Sequence, residues 1–344
     1  MAKIQLIGWG LLYSLMLLLA ACQDKEDTPA AHPERWQVLV MFPADGLGDL
    51  SYNDNTLRGI EQAALEKKIS MRYFIPSPTN DVEEFFRLMM TIRLDENEHL
   101  LLVLAGNEYT EFARELMKDV SGYPDMNRKK VLLFESEALD VPVHTFMLPF
   151  SGASYLLGYC AAHYSQEALV LAGNATDNSV QQATLGFTDG FRAAGGGKVD
   201  SQTLSDGPEG YSMPVEAYTY VHQWATKYPG RGFIYPVAGG SNQGVYRYAR
   251  ENRTKLYTAG VDVDQSALSS DIIASVVKHT DKVIYNFITD WVERKELPLH
   301  TDYGLESGMI ELVPAPIFQA EVIKFKDQAW QAAIDFQNAF RKNL

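Results

Sequence analysis

Short apolar runs alternate with helical patterns along most of the chain. Residues 38–42 are all apolar, as in a buried strand, and Leu57, Ile60 and Ala64 then recur at the three- and four-residue spacing of a helix. Similar pairs of segments follow one another towards the C-terminus. Because this alternation produces strand–helix–strand units, it predicts an α/β fold with parallel sheets that are covered by helices on both faces.

The predicted elements fall into two consecutive series of similar size. The first has strands at residues 38–42, 71–75, 100–104 and 131–134, with helices at 57–65, 82–93 and 109–120. The second has strands at 168–171, 233–237 and 256–261, with helices at 155–164, 180–194, 215–228 and 243–250. Later segments predict strands at 272–277 and 309–313, and helices at 281–294 and 322–336. Two series predict two lobes, one of residues 36–142 with 271–297 and one of residues 143–270 with 298–344.

The first residues have the features of a signal peptide. Lys3 precedes an apolar stretch, residues 11–19, which is shorter than the roughly 20 apolar residues of a bilayer-spanning helix. The sequence Leu19-Ala20-Ala21-Cys22 follows and resembles a bacterial lipobox. This resemblance implies that residues 1–21 are removed and that Cys22 is acylated. The alternative is an ordinary signal peptide with an incidental cysteine.

A polar segment that contains prolines separates Cys22 from the first predicted strand. Residues 22–35 show no hydrophobic periodicity and predict a flexible tether. With an acylated Cys22, the protein is expected in the bacterial cell envelope, where the lipid attaches it to the periplasmic or cell-surface face of a membrane.

The charge of the chain argues against a nucleic-acid partner, and its cysteine content argues against a disulfide within the chain. The chain of 344 residues has a formal net charge of −14, and its lysines and arginines form no stripe with interleaved aromatic residues. Nucleic acid is therefore not an expected partner. Once Cys22 carries a lipid, Cys160 has no partner for a disulfide within the chain. Cys160 lies in an apolar helical pattern, which predicts a buried side chain.

No catalytic or metal-binding pattern stands out. The seven histidines are scattered without the spacing of a zinc site, so neither a metal nor a cofactor is expected. The chain contains no nucleophile elbow of the Gly-x-Ser-x-Gly kind. An enzyme is therefore not the expected class.

The loop after the first predicted strand is a candidate ligand contact, because ligands of parallel sheets bind at the carboxyl ends of the strands. This loop contains Asp45, Asp49, Tyr52 and Asn53 together with two glycines, at positions 46 and 48. Glycines let the backbone approach a ligand, the aromatic ring offers a stacking face, and the polar side chains supply directed hydrogen bonds. The alternative is a turn that ends in an N-cap for the following helix.

Three further strand ends carry candidate residues. Gly239 and Gly240 lead from a strand into a helix, but the segment lacks the lysine of a P-loop and the spacing of a dinucleotide fingerprint. Asp262 ends another strand, where its carboxylate could accept from vicinal hydroxyls or cap a turn. Lys278 ends a fourth strand, a position where most lysines are solvated.

Taken in order, these segments resemble the basic membrane protein family of substrate-binding lipoproteins, which includes the purine-nucleoside receptors of ABC importers. The resemblance runs from about Val38 to about Pro314. The family's Gly-Val-Asp-x-Asp-Gln is present unchanged at residues 260–265. The other matches are residues 49–53 with Asp-Lys-Ser-Phe-Asn, 156–159 with Leu-x-Gly-Tyr, 238–245 with Ala-Gly-Gly-x-x-x-Gly-Val, and 275–281 with Ser-x-x-Lys-x-x-Asp.

The resemblance implies a type I periplasmic-binding-protein fold, with two doubly wound lobes joined by a hinge and a ligand held between them. Tyr52 would stack on the purine base, and Tyr211, three residues before Pro214, would supply a second stacking face. Asp262 would accept from ribose hydroxyls, and Lys278 would donate to the same sugar. The other residues expected to contact the ligand are Asp45, Asp49, Asn53, Asn107, Gly239 and Gly240.

Two departures from the family pattern affect the expected ligand. Pro43 replaces an acidic residue near the end of the first strand, with Asp45 two positions later. Residues 149–154 replace an acidic stretch of the family, so a carboxylate that contacts the sugar in nucleoside binders is missing there. A site that loses a hydrogen-bond acceptor discriminates differently among hydroxylated ligands.

The expected function is that of a lipid-anchored solute-binding protein that captures a small ligand, with a purine nucleoside as first candidate, for an ABC permease. The alternative keeps the fold without nucleoside transport, as a surface lipoprotein that senses a ligand or docks to another protein.

Overall fold

The computed structural model describes residues 33–44, 46–76, 81–228, 230–253 and 255–342. The predicted signal peptide, Cys22, most of the predicted tether and Asp45 lie outside the described residues. Trp36–Leu344 forms one unit, which is built around two sheets.

The strands of the described residues are short and mostly buried. In chain order they are β1 (Arg35–Met41), β2 (Ser70–Phe74), β3 (Glu98–Leu104), β4 (Lys129–Phe134), β5 (His144–Met147), β6 (Glu167–Asn174), β7 (Lys198–Ser205), β8 (Gly232–Val237), β9 (Leu256–Asp262), β10 (Ile272–Lys278), β11 (His300–Asp302) and β12 (Ile310–Pro314).

These strands form two six-stranded sheets within the described ranges. The first sheet, which defines lobe 1, has the order β11-β5-β4-β3-β1-β2, and the second, which defines lobe 2, has the order β12-β10-β9-β8-β6-β7. Neighbouring strands pair in parallel, for example β1 with β2 and β6 with β8, whereas β12 runs antiparallel to β10. Parallel pairing follows from the helical connections between successive strands.

The described helices connect the strands. They are α1 (Tyr52–Lys67), α2 (Asp81–Thr91), α3 (Thr110–Met117), α4 (Phe150–Ala161), α5 (Asn178–Ala193), α6 (Pro214–Ala225), α7 (Asn242–Glu251), α8 (Thr280–Val292) and α9 (Gln319–Arg341).

Helices α4 and α5 pack unusually closely. Gly158 of α4 makes this possible, because a Cβ atom there would overlap the carbonyl oxygen of Phe187 in α5. Cys160, on the same helix, is fully buried, and its Sγ lies 3.8 Å from the carbonyl oxygen of Val322 in α9. The prediction of a buried Cys160 is confirmed.

One apolar core extends through both lobes. It contains Val40 and Phe134 of the first sheet together with Val170 and Tyr235 of the second. A separate apolar cluster lies on the other face of each sheet. The central strands are therefore buried on both faces, which is why they read as continuous apolar runs in the sequence.

The sheets correct the predicted lobe boundaries at three strands. β5 and β11 lie in the first sheet, although residues 143–147 and 300–302 were expected in the second lobe. β10 lies in the second sheet, although residues 272–278 were expected in the first lobe. The chain thus crosses between the sheets after β5, β10 and β11. Periodicity shows that a strand is buried but not which sheet it joins, so the pattern could not place these crossings.

Three strands were not predicted at all: β5, which has four residues, β7 and β11. β7 has the sequence Lys-Val-Asp-Ser-Gln-Thr-Leu-Ser and lies at the sheet edge, where half-exposed positions tolerate polar residues. β11 has only three residues. Within the described ranges, no helix has both the length and the apolar character needed to cross a membrane.

Candidate ligand-binding site

Polar side chains from the two lobes meet at the carboxyl ends of the strands. Ser51, just before α1, donates its hydroxyl to Asp262 Oδ2 at the end of β9, at 2.7 Å. Lys278 Nζ at the end of β10 lies 2.9 Å from Oε1 of Glu135, which directly follows β4. The structure therefore brings the predicted residues Asp262 and Lys278 to the same junction between the lobes.

Asp49 caps the first turn of α1. Its carboxylate accepts from the backbone N–H groups of Ser51 and Asn53 at 2.9 Å each, and from that of Asp54 at 3.2 Å. Burial raises the pKa of Asp49, although these donors act in the opposite direction. The carboxylate is thus engaged by the helix terminus.

Tyr52 and Asn53 each present a buried polar atom that has no partner among the described residues. The hydroxyl of Tyr52 and Oδ1 of Asn53 form no hydrogen bond with any of these residues, whereas Nδ2 of Asn53 donates to the carbonyl oxygen of Gly46 at 2.9 Å. Burial, followed by the negative charges of Glu135 and Asp262, raises the pKa of Tyr52 well above its ordinary value. Because buried polar groups are nearly always satisfied, these two atoms indicate a place for a polar ligand.

Asp262 is held in an unusual backbone conformation. Its φ is +66°, in the left-handed region, and its side chain is buried. Burial raises the pKa of Asp262 to about 6, although the charge of Lys278 and the hydroxyl of Ser51 oppose this shift. A strained, buried carboxylate at a junction between lobes is typical of a functional position.

Lys278 is enclosed by an acid and two aromatic rings. Its Nζ lies 3.9 Å from the ring centroid of Phe150 and 5.9 Å from that of Tyr52, besides its ion pair with Glu135. Only 2 % of the residue is exposed, so the solvated alternative for a lysine at a strand end does not apply. Burial also raises the pKa of Glu135, against the charge of Lys278.

Tyr211 lies on the lobe 2 side of the candidate site. Its hydroxyl donates to Asp177 Oδ2 at 2.6 Å, and a Cβ atom on Gly173 would lie only 2.6 Å from its ring. Gly239, with φ of +52°, also faces the ring of Tyr211, and a Cβ atom on Gly240 would lie 3.1 Å from its carbonyl oxygen. The two predicted glycines therefore seat Tyr211 against the backbone.

Asn107 lies at the end of β3, where it begins a short 3-10 helix. Its carbonyl oxygen accepts from Thr110 Oγ1 at 2.7 Å, and the residue is half-buried.

Pro43, which replaces an acidic residue of the family, accepts a hydrogen bond from the backbone N–H of Gly46 through its carbonyl oxygen. Asp45, which lies between Pro43 and Gly46 in the chain, is outside the described residues.

Four residues of this junction were missed by sequence reasoning. Glu135 and Asp177 follow β4 and β6, so the rule that selected Asp262 would also have selected them. Asp177 also caps α5 by accepting from the backbone N–H of Ser179. Ser51 matches the serine of the family motif at residues 49–53 but was not selected as a contact, and Phe150 belongs to a helix start and carries no separate sequence signal. Glu135 places a carboxylate beside Lys278 even though residues 149–154 contain none.

Negative charge predominates at the site. The charges of Glu135, Asp262 and Asp177 all act on Tyr52, whereas Lys278 brings a positive charge into contact with Glu135. Even so, the described residues contain no cluster of histidine, cysteine or acidic side chains suited to a metal ion. The arrangement can instead accept hydrogen bonds from hydroxyls and contact a flat ring.

Residues 36–342 match the Bmp family, described as ABC transporter substrate-binding protein PnrA-like. The chain belongs to the Bmp family. The predicted resemblance to basic membrane proteins is thereby confirmed, since the match covers almost the whole described structure.

Two curated relatives of this Bmp-family chain share part of its length. Basic membrane protein C of Borreliella burgdorferi strain B31 is 27% identical over 234 residues, which cover 65% of this chain and 63% of that protein. The match thus spans less than two thirds of the relative. An uncharacterized lipoprotein of Pyrococcus abyssi is 29% identical over 121 residues, or 34% of this chain and 28% of that protein.

A solved structure shares the fold. The solute-binding protein of an ABC transporter system from Aeropyrum pernix K1 superposes with a TM-score of 0.68 at 18% identity, covering 90% of this chain and 92% of that one. This likeness confirms the predicted type I periplasmic-binding-protein fold of the Bmp-family chain.

Proposed function

We propose that this protein is a solute-binding lipoprotein that closes its two lobes over a neutral, hydroxylated aromatic ligand and delivers it to an ABC permease. A purine nucleoside is the first candidate. The observation that carries the proposal is the buried group of Lys278, Glu135 and Asp262, which joins the two lobes beside Tyr52.

The contacts between the lobes at this site are polar. Besides the Ser51–Asp262 and Glu135–Lys278 pairs, Gln265 Nε2 lies 3.5 Å from the carbonyl oxygen of Leu50. Ligand hydroxyls can exchange with such contacts at small net cost, because hydrogen bonds are replaced by hydrogen bonds. A hinge that opens and closes at this junction would give a ligand access.

The chemistry of the site supports a neutral ligand with hydroxyls and a flat ring. Glu135 and Asp262 accept hydrogen bonds, Lys278 donates, and Tyr52 and Tyr211 supply aromatic rings from lobe 1 and lobe 2. The excess of carboxylates disfavours ligands that carry phosphate, such as nucleotides. Vicinal hydroxyls next to a base match this set of groups.

The N-terminal sequence supports the membrane attachment. Leu19-Ala20-Ala21-Cys22 provides an acylation site, and the Pyrococcus abyssi relative is named a lipoprotein. The lipid would keep the binding protein close to its permease in the cell envelope.

Calorimetry of the full chain in a neutral detergent, against nucleosides, free bases and free sugars, tests the ligand. A nucleoside is expected to bind below about 1 mM and more tightly than either of its parts. If sugars bind and nucleosides do not, the nucleoside assignment is wrong. If no small ligand binds, a surface role in docking to another protein replaces transport.

Tyr211→Ala is expected to weaken nucleoside binding at least about tenfold, because the variant loses one stacking face. Tyr211→Phe keeps the ring and should retain most of the affinity. Tyr218→Ala is the matched control, since Tyr218 lies in α6 and its hydroxyl bonds Glu251 away from the site. Equal affinities of Tyr211→Ala and Tyr218→Ala would refute the stacking role.

A further inference from the structure

A pocket lies at the opposite end of lobe 1 from the ligand site. Its volume is about 370 Å³. Trp36, His99 and Lys130 stand at the second positions of β1, β3 and β4, so the pocket is at the amino ends of these strands. The site described above is at the carboxyl ends, and the two therefore share no residue.

Aromatic rings form one side of this pocket. Trp36 stacks on His99 with a centroid distance of 4.1 Å and an interplanar angle of 17°. Trp291, at the end of α8, meets Trp36 edge-on at 4.7 Å. Rings fixed in this way provide a preformed face for the organic part of a ligand.

Four cations also line the pocket. Arg128, Lys130, Arg294 and Lys295 all border the pocket, against one acid, Glu296. Arg128 is paired with Asp125, and Lys295 with Asp290 and Glu293. Lys130 has no ion pair or side-chain hydrogen bond with another described residue. In a chain of net charge −14, this local excess of positive charge stands out.

We propose that this pocket binds an organic phosphate ester, with Lys130 and Arg294 at the phosphate and the Trp36–His99 stack against the organic part. Lysine and arginine are common phosphate ligands, and the volume leaves room for a group larger than phosphate itself. The site goes beyond the proposed transport function, which involves other residues.

Two sources could supply such an ester: a phospholipid headgroup or a soluble phosphate ester. The headgroup source rests on the proposed lipid anchor, because Arg35 and Trp36 are where the chain enters the first sheet from the Cys22 side. Tryptophan and basic residues are also typical of protein surfaces that face lipid headgroups.

Tryptophan fluorescence of the full chain in a neutral detergent tests the proposal. The probes are glycerol 1-phosphate, dihexanoylphosphatidylglycerol below its micelle concentration, and acetate. Both phosphate esters are expected to give saturable changes, and acetate none. Tighter binding of the short-chain lipid assigns the site to headgroups, whereas equal or tighter binding of glycerol 1-phosphate assigns it to soluble esters.

Lys130→Gln is expected to lower the affinity for both esters about tenfold, through the loss of a charge-assisted hydrogen bond. Arg294→Asn, which suits the left-handed φ of +57° at this exposed position, should act in the same direction. Lys324→Gln on α9 changes the net charge equally and should have no effect. Absence of saturation, equal binding of acetate, or equal effects of Lys130→Gln and Lys324→Gln would overturn the proposal.

Discussion

At the scale of single residues, the groups around Lys278 contribute both to the stability of the folded protein and to the proposed ligand binding. Its ammonium is buried against Glu135 and the ring of Phe150, and its charge also acts on Asp262. The ammonium group of Lys278 thus stabilises the negative charges of two buried carboxylates, Glu135 and Asp262. A ligand that hydrogen-bonds to this group meets side chains that the protein already holds in place, so ordering these side chains adds little to the cost of binding.

Lys278→Met is expected to lower the free energy of unfolding by about 3–5 kcal/mol, because it leaves buried carboxylates without their cation. Urea unfolding at neutral pH measures the loss. The double variant Lys278→Met with Glu135→Gln should recover part of it, since the uncompensated charge of Glu135 is then removed. Lys324→Met, at an exposed position, serves as control and should stay within about 0.5 kcal/mol of the natural protein.

Asp262 predicts a pH dependence of stability. Its pKa in the folded protein is about 6, above the ordinary 3.8, so the folded state binds more protons than the unfolded state between these values. Stability is therefore expected to fall as pH rises from about 4 to about 6, by up to about 3 kcal/mol from this group. The neighbouring acids Asp49 and Glu135, whose pKa values are also raised, contribute in the same direction.

Asp262→Asn removes this titration and is compatible with the left-handed backbone. Unfolding curves at several pH values should show that the natural protein loses stability relative to Asp262→Asn across that pH range. A stability difference that does not change with pH would contradict the raised pKa.

At the scale of elements, the contact between α4 and α5 depends on glycine. Gly158→Ala is expected to lower the free energy of unfolding by about 1–3 kcal/mol, because the added methyl group meets the backbone of Phe187 and the helices must separate. Thermal and urea unfolding check this value. Gly122→Ala, where a Cβ atom meets nothing within 4 Å, is the control and should not destabilise. Equal stability of both variants would mean that the helices adjust freely.

The elements also show how far sequence reasoning reaches. The central strands were predicted because both of their faces are buried, which produces uninterrupted apolar runs. β7 was not predicted, because a strand at the edge of a sheet does not need an uninterrupted apolar run. Sheet membership of β10 was assigned wrongly, because neighbours in a sheet are chosen by tertiary contacts that leave no periodicity in the chain.

The sequence predicted the candidate site only in part, as it did the sheets. Asp262, Lys278 and Tyr52 were predicted from strand ends and family motifs, and the structure brings them together. Asp49 follows β1 in the same way, yet its carboxylate caps α1. A capping acid and a ligand-binding acid occupy similar sequence positions, and only the direction of the side chain separates them.

At the scale of the whole molecule, the lobes are joined in two different ways. The apolar core that they share contains Phe134 and Tyr235, whereas the contacts at the ligand site are polar and include the pairs of Ser51 and Glu135. Opening at the site would break hydrogen bonds that water can replace, without exposing the core. This difference favours a hinge over a separation of the lobes.

Ser51→Ala combined with Glu135→Gln is expected to shift the molecule towards open conformations, since it removes two of these bridging contacts. Fluorescent labels on Leu88→Cys in lobe 1 and Leu185→Cys in lobe 2, both exposed positions, report the distance by energy transfer. Cys160 should remain unlabelled, because burial raises the pKa of its thiol to about 12. Transfer efficiency should fall in the double variant but not in a Thr226→Ala control. An unchanged efficiency would contradict a hinge held by these contacts.

The three crossings between the sheets set an order of assembly. A ribosome or an export channel releases the chain from its N-terminus, so β1 to β5 emerge long before β11. Until residues 300–302 arrive, one edge of β5 has no neighbouring strand, and the first lobe cannot reach its final form. A chaperone or translocation machinery would therefore meet an incomplete, pairing-competent edge from the appearance of β5 until that of β11.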